Sequence, residues 1–360
     1  MKVIITILKV VTSIIIGVLV FVLFSAIHLS QIRRADLKSQ NKRMDKLEAS
    51  YENYEPSGYL KYSGENLDEL AFNEVSFLAS HNSYKKKGSL VGKLFVGLGD
   101  SFSEAKALNY SYKTITEQLK SGIFSFELDV RLRKDEFEIT HVPLVDNSST
   151  AVNFENALLE YKYFLEQERD AFPILVLLEI KDDYMFLDPS LKNIENDELT
   201  LLEDKIEVVL GDYLYTPEIM VGEYSSIKDR LDDKGWPKIS ELKGKIIFLI
   251  HAGKYANNYL DYKNITEQKL FTATYKDNLN VNAPFIIHNI LDIETINNLV
   301  NNNYMVRTRI GDTLNYTKED LEKAINSRAQ ILTSDFTVAR SDINKYLYLN
   351  ENKTIRRNDD

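Results

Sequence analysis

Between residues 123 and 131 the chain alternates without a slip. Phe124, Phe126, Leu128 and Val130 fall on one face of an extended strand, and Ser125, Glu127, Asp129 and Arg131 fall on the other. Such a strand is apolar toward covering helices and charged toward an enclosed, wet space. The pattern recurs at 173–181, where Ile174, Val176, Leu178 and Ile180 oppose Glu179 and Lys181, and again in the row Met305, Arg307 and Arg309. Polarity gathered at the C-terminal ends of several strands is what a (β/α) barrel needs at its mouth. Strands are expected at 75–79, 123–130, 136–141, 174–180, 245–250, 284–288, 304–309 and 330–335. Amphipathic helices are expected at 114–120, 153–169, 197–210, 293–302 and 317–327, with Thr317 and Asp320 as the start signal of the last.

The N-terminus sets a second constraint. About 18 residues from Val10 to Ile27 carry no formal charge, close to the minimum that crosses a bilayer. Ser25-Ala26 is a poor cleavage site, so the segment reads as an uncleaved signal anchor over 1–30, with a secreted form if it is removed. A polar stalk and linker is expected over 31–66, with Pro56, Gly58 and Gly64 near its end, then the barrel over 67–345 and a polar tail over 346–360. An extracytoplasmic barrel conflicts with Arg33, Arg34, Lys38, Lys42, Arg43 and Lys46, because positive-inside counting keeps that side cytoplasmic. The net charge of −10 argues against nucleic acid as a partner, and the absence of cysteine excludes disulfides, a thiolate nucleophile and a zinc–cysteine site.

Four polar clusters stand where apolar runs end: His81-Asn82-Ser83-Tyr84, Glu127-Leu128-Asp129, His141, and Glu179-Ile180-Lys181. Two imidazoles can move protons, oxygen donors suit a hard cation, and basic groups can face a phosphoryl group; together they suit metal-assisted attack on a phosphodiester. His251 and His288 read as structural, and Asp335 either faces the site or caps a turn. Lys85-Lys86-Lys87 reads as a solvated or headgroup-facing rim. The insert 88–103 is apolar for a loop and reads as a short packed helix or an interfacial contact.

These four clusters resemble the X-type catalytic region of phosphatidylinositol-specific phospholipase C, and most closely its bacterial, calcium-dependent branch. Gly235-Trp236-Pro237, Leu242-Lys243-Gly244-Lys245, Arg307-Thr308-Arg309 and Ser334-Asp335-Phe336 extend the likeness over about Asn73 to Phe336. The resemblance implies an irregular (β/α)8 TIM barrel in which the inositol 2-hydroxyl attacks phosphorus, releasing diacylglycerol and a cyclic inositol phosphate. It implies His81 on the nucleophile side and against the phosphoryl oxygens, and His141 at the leaving group. Asn82, Glu127, Asp129 and Glu179 become Ca2+ ligands, and Lys181, Arg307 and Arg309 substrate contacts. The partners implied are a phospholipid and a membrane surface. One departure is Lys85, where a further histidine would be expected after Tyr84. Two rival functions remain: a glycerophosphodiester phosphodiesterase, whose His-Arg-Gly opening differs from His-Asn-Ser here, and a non-catalytic barrel that binds lipid or cell-wall polymer.

Overall fold

The computed structural model describes residues 2–55 and 67–358, so Pro56, Gly58 and Gly64 lie outside the described residues. The strands are β1 (Val75–Ala79), β2 (Ser125–Arg133), β3 (Glu136–Ile139), β4 (Ile174–Ile180), β5 (Leu191–Lys192), β6 (Ile246–Ile250), β7 (Phe271–Thr274), β8 (Phe285–Ile287), β9 (Met305–Arg309), β10 (Ile331–Thr333) and β11 (Ile355–Arg357). Eight of them pair in parallel in the cyclic order β1, β2, β4, β6, β7, β8, β9, β10, which closes an irregular TIM barrel.

The irregularity lies between β1 and β2, which meet only at Ala79 and Ser125. Below that point β11 runs antiparallel to β1, pairing Val75 with Arg357 and Phe77 with Ile355. The Thr354 hydroxyl donates to the Gly122 carbonyl at 2.7 Å, tying the insert to the start of β2. Residues 346–358, expected as a polar tail, therefore complete the barrel wall, with Leu347, Leu349 and Ile355 buried. Aromatic rings close the same end: Phe72 stacks on Phe77 at 5.6 Å, and Phe77 meets Phe172 at 5.4 Å.

The helices are α1 (Lys2–Met44), α2 (Leu90–Gly99), α3 (Phe102–Ala107), α4 (Ile115–Lys120), α5 (Phe154–Gln167), α6 (Asn196–Leu210), α7 (Pro217–Val221), α8 (Ile227–Lys234), α9 (Ile239–Leu242), α10 (Lys254–Tyr262), α11 (Ile293–Asn301) and α12 (Lys318–Asn326). Side-chain caps start several of them, including Thr114 on α4, Asn153 on α5 and the Thr317–Asp320 capping box on α12.

The expected anchor and the first part of the expected stalk are one helix over residues 2–44, and its C-terminal part lies along the barrel. Leu29, Arg33, Asp36, Gln40 and Arg43 recur every three or four residues and form the docked face. Asn147 Nδ2 donates to the Leu29 carbonyl at 3.1 Å, Gln40 exchanges two hydrogen bonds with the Asn153 backbone, and Arg43 donates to Glu160 at 2.7 Å. Beyond the helix, Lys120 Nζ donates to the Ser50 carbonyl at 2.7 Å. Asn147 follows the His141 loop at the mouth, whereas Lys120 lies just before β2 begins. The chain thus descends the barrel wall from mouth to base. Arg33 pairs with Glu138 and Arg43 with Glu160, so two of the basic residues in the orientation count hold the barrel.

Candidate active site

Side-chain parity brings the polar clusters to one mouth. Glu127 and Asp129 of β2 and Glu179 of β4 point into the barrel, and Asp129 and Glu179 are direct register partners. The turn after β1 is fixed by hydrogen bonds: Ser83 N donates to the Glu127 carbonyl at 2.9 Å, and Glu127 N donates to Ser83 Oγ at 2.8 Å. Within that turn Asn82 adopts a left-handed conformation, φ 49°, which asparagine tolerates better than most residues. Its Nδ2 donates to Tyr110 Oη at 3.2 Å, which leaves Oδ1 available.

Each imidazole is oriented by a buried aspartate. His81 Nδ1 lies 3.1 Å from Asp335 Oδ1, and His141 Nδ1 lies 3.0 Å from Asp146 Oδ2. Each aspartate is held in turn by a cation, Arg309 Nη2 at 2.6 Å for Asp335 and Lys85 Nζ at 2.5 Å for Asp146. Both rings therefore present Nε2 away from their aspartates. Burial disfavours charge on His81, but the Asp335 and Glu127 carboxylates together outweigh it and raise the imidazole above its ordinary value. Burial likewise opposes charge on Asp335, yet His81 and Arg309 bring it down to about 2. Asp146 is lowered against its own burial by Lys85 and His141.

Glu127 is buried, and burial alone would raise it. Arg307 Nη2, at 2.6 Å, reverses that and holds it at about 2. Arg307 also donates to Asn289 Oδ1 at 2.9 Å, so its guanidinium braces the site from beneath and is not free to fork a phosphate. Asp129 is different. It is fully buried and neither carboxylate oxygen has a hydrogen-bond partner. Burial raises it to about 6, with Lys181 opposing and Glu179 reinforcing the shift. Lys181 Nζ contacts Glu179 at 2.5 Å and stands 3.7 Å from Asp129. One ammonium between two adjacent carboxylates under-compensates them, and an orphaned buried carboxylate is the mark of a cation site. Glu127, Glu179 and His251 offer donor atoms within 4.8 Å of one another. The oxygen donors of Asn82, Glu127, Asp129 and Glu179 fit a hard cation such as Ca2+.

Several partners escaped the sequence reading. His251 belongs to the mouth: its Nδ1 faces the Ala252 carbonyl at 3.0 Å, turning Nε2 toward the carboxylates. Its place directly after an apolar strand was the available signal. Lys85 is fully buried and Lys86, partly buried, pairs with Asp36 of α1, so two of these lysines are ties within the fold; Lys87 pairs with Asp342 and stays exposed. Arg131 donates to the His141 carbonyl at 2.7 Å and holds that loop. His288 lies at the end of β8 with its Nε2 buried and unpartnered.

A family model described as calcium-dependent phosphoinositide phospholipase C matches residues 130–359, more than half of the chain. The chain belongs to this family. The matched stretch contains His141 and Glu179; Glu127 and Asp129 lie just before it, and His81 and Asn82 lie about 50 residues upstream. No curated protein matches the sequence. Among solved structures, a calcium-dependent phosphoinositol-specific phospholipase C from Pseudomonas sp. is similar, with TM-score 0.59 and 14% identity over 84% of this chain and 99% of that one. The Ca2+-dependent enzyme from Streptomyces antibioticus gives TM-score 0.56 and 14% identity, covering 74% and 94%. At that identity the likeness establishes the barrel. The family match adds that this is a calcium-dependent phosphoinositide phospholipase C-type phosphodiesterase.

The docked helix reaches the site through Asp36, which pairs with Lys86 and accepts from Ser149 N at 3.1 Å. Asp36→Ala is expected to loosen the loop between His141 and Ser149 and lower kcat by about tenfold, the scale of one charge-assisted hydrogen bond. KM should stay unchanged, and Asp36→Asn should restore most of the rate by keeping the Ser149 contact. Steady-state kinetics on all three proteins check this.

Proposed function

We propose that the protein is a membrane-anchored, calcium-dependent phosphodiesterase that cleaves phosphatidylinositol-type lipids by attack of the inositol 2-hydroxyl on phosphorus. The observation that carries this reading is the pair of imidazole–aspartate couples flanking one carboxylate cluster. His81 acts electrostatically on Glu127, and His141 on Asp129, which supports both rings facing the cluster.

Asn82, Glu127, Asp129 and Glu179 would hold Ca2+, which when bound polarises a phosphoryl oxygen and lowers the pKa of the attacking hydroxyl. His251, a nitrogen donor, suits a substrate hydroxyl better than a hard cation. His81, whose charged form Asp335 favours, donates from Nε2 to a non-bridging phosphoryl oxygen on the nucleophile side. Glu179, the most exposed of the three carboxylates, takes the hydroxyl proton as the new O–P bond forms. His141 Nε2–H delivers a proton to the glycerol oxygen as the old P–O bond breaks. The neutral His141 then deprotonates water as it attacks the cyclic phosphate, and Glu179 returns its proton to the inositol 2-oxygen as that P–O bond breaks. Lys181 and Arg309 meet the remaining phosphate charge at the rim, and Arg307 positions Glu127.

An uncleaved α1 anchors this machinery, with the barrel on the extracytoplasmic side. The test is a headgroup panel: full-length protein with vesicles of phosphatidylinositol, phosphatidylcholine or phosphatidylglycerol, in calcium or in chelator, with products identified by 31P NMR. Cyclic inositol phosphate, formed from phosphatidylinositol only when calcium is present, is the expected product. Turnover that ignores the chelator, or glycerol phosphate as product, would overturn the proposal.

A further inference from the structure

Helix α2 follows the His81 turn and lies against both the mouth wall and the membrane helix. Any side chain at Gly92 would collide with the Val145 carbonyl, next to Asp146, and would touch the Leu29 side chain. One turn further on, Phe95 stacks on Phe21 of α1, with ring centroids 6.2 Å apart and planes at 25°. Phe21 lies within the uncharged run of residues 10–27. That run is about 27 Å long at ~1.5 Å per residue, and must occupy nearly all of a ~30 Å hydrocarbon layer to cross it. A helix in contact with Phe21 therefore sits at the depth of the acyl chains or their boundary.

The outward face of α2 fits that depth. Leu90, Leu94 and Leu98 recur every fourth residue, with Leu90 83% and Leu98 68% exposed, and Phe102 of α3 adds a further bare ring, 66% exposed. In α1, residues 3–24 are equally uncovered. The two apolar surfaces are continuous, and both project from the mouth end of the barrel, because α1 descends from the mouth toward the base.

We propose that α2 is a second membrane element that joins the α1 span to seat the open mouth on the bilayer holding the anchor. The enzyme then draws its lipid from that same leaflet and not from another membrane. This rests on the phospholipase reading for its substrate, but the docking surface can be tested without it.

The experiment uses full-length protein in phosphatidylcholine vesicles containing phosphatidylinositol. Leu98→Trp should give blue-shifted emission that bromine-labelled lipid quenches and acrylamide does not, with buried Trp236 as a constant background. Quenching by acrylamide alone would overturn the proposal. So would shielding from both quenchers, which would mean that a second protein copy covers this face. The double variant Leu90→Asp/Leu98→Asp should cleave phosphatidylinositol in its own vesicle about tenfold more slowly or worse, while turning over soluble inositol cyclic phosphate at the wild-type rate. Equal loss on both substrates, or on neither, would contradict it. Anchored enzyme should leave phosphatidylinositol in separate vesicles intact, and equal cleavage there would also defeat it. If no inositol phosphodiester is turned over at all, the phospholipase reading fails, while the quenching result still decides the surface.

Discussion

His81→Ala and His141→Ala are each expected to lower kcat by about 10²–10⁴-fold while leaving the fold intact, the range general acid–base groups contribute. Neither ring supports the core: both side chains lie in turns beyond strand ends and keep about a fifth of their surface exposed. The two losses should nonetheless be separable. A substrate with a nitrophenolate leaving group needs little protonation, so it should restore much of the rate to His141→Ala. The same substrate should leave His81→Ala impaired, because the charge on the phosphoryl oxygens still has to be met. Circular dichroism and thermal melts control for folding. Wild-type turnover in both variants, or equal rescue of both, would show that the roles have been misassigned.

Asp129→Asn is expected to trade function for stability. The buried carboxylate, under-compensated by Lys181, is pushed up to about 6 in the folded protein, against about 4 when unfolded. Its penalty is therefore absent below about pH 4, grows as pH rises, and is complete above about pH 6. The metal-free wild type should lose stability across that window, and the variant should not. Near neutral pH the variant should be more stable by roughly 2 kcal/mol, about 3 °C in Tm for a chain of this size. Calcium should reverse the order, since it binds only the folded wild-type cluster tightly and raises that protein's Tm with concentration. The variant should show little calcium-dependent gain and little activity. Melting curves in chelator and in calcium, across pH, test each part; a metal-free variant less stable than wild type would sink the argument.

Much of the barrel was legible because alternation in β2, β4 and β9 is enforced by burial on one face and water on the other. β1 and β4 fall at the expected residues. β7 was missed because Phe271–Thr274 is four residues of mixed Ala and Thr character, too short to show a period. α10 was hidden by its asparagines and tyrosines, although Tyr255, Ala256 and Tyr259 form a buried stripe. The carboxylates of the candidate site were legible for the opposite reason: a charge on an otherwise apolar strand is anomalous. Asp146 gave no such signal, because an aspartate in a polar loop is ordinary until folding places it against His141. Lys85 was misleading in the same way. A run of three lysines looks solvated, and only the buried positions of Asp146 and the docked Asp36 turn two of them inward.

The short β11 also bears on how the molecule is made. It completes the edge of β1, the strand that carries His81, and Ser76 bonds to a residue 282 positions further along the chain. During translation α1 and β1 emerge long before residues 355–357 leave the ribosome. Until then one side of β1 keeps unpaired amides and carbonyls, and closure over so long a loop is slow. Until those residues are made, the turn that carries His81 lacks one of its walls, and the candidate site stays unassembled.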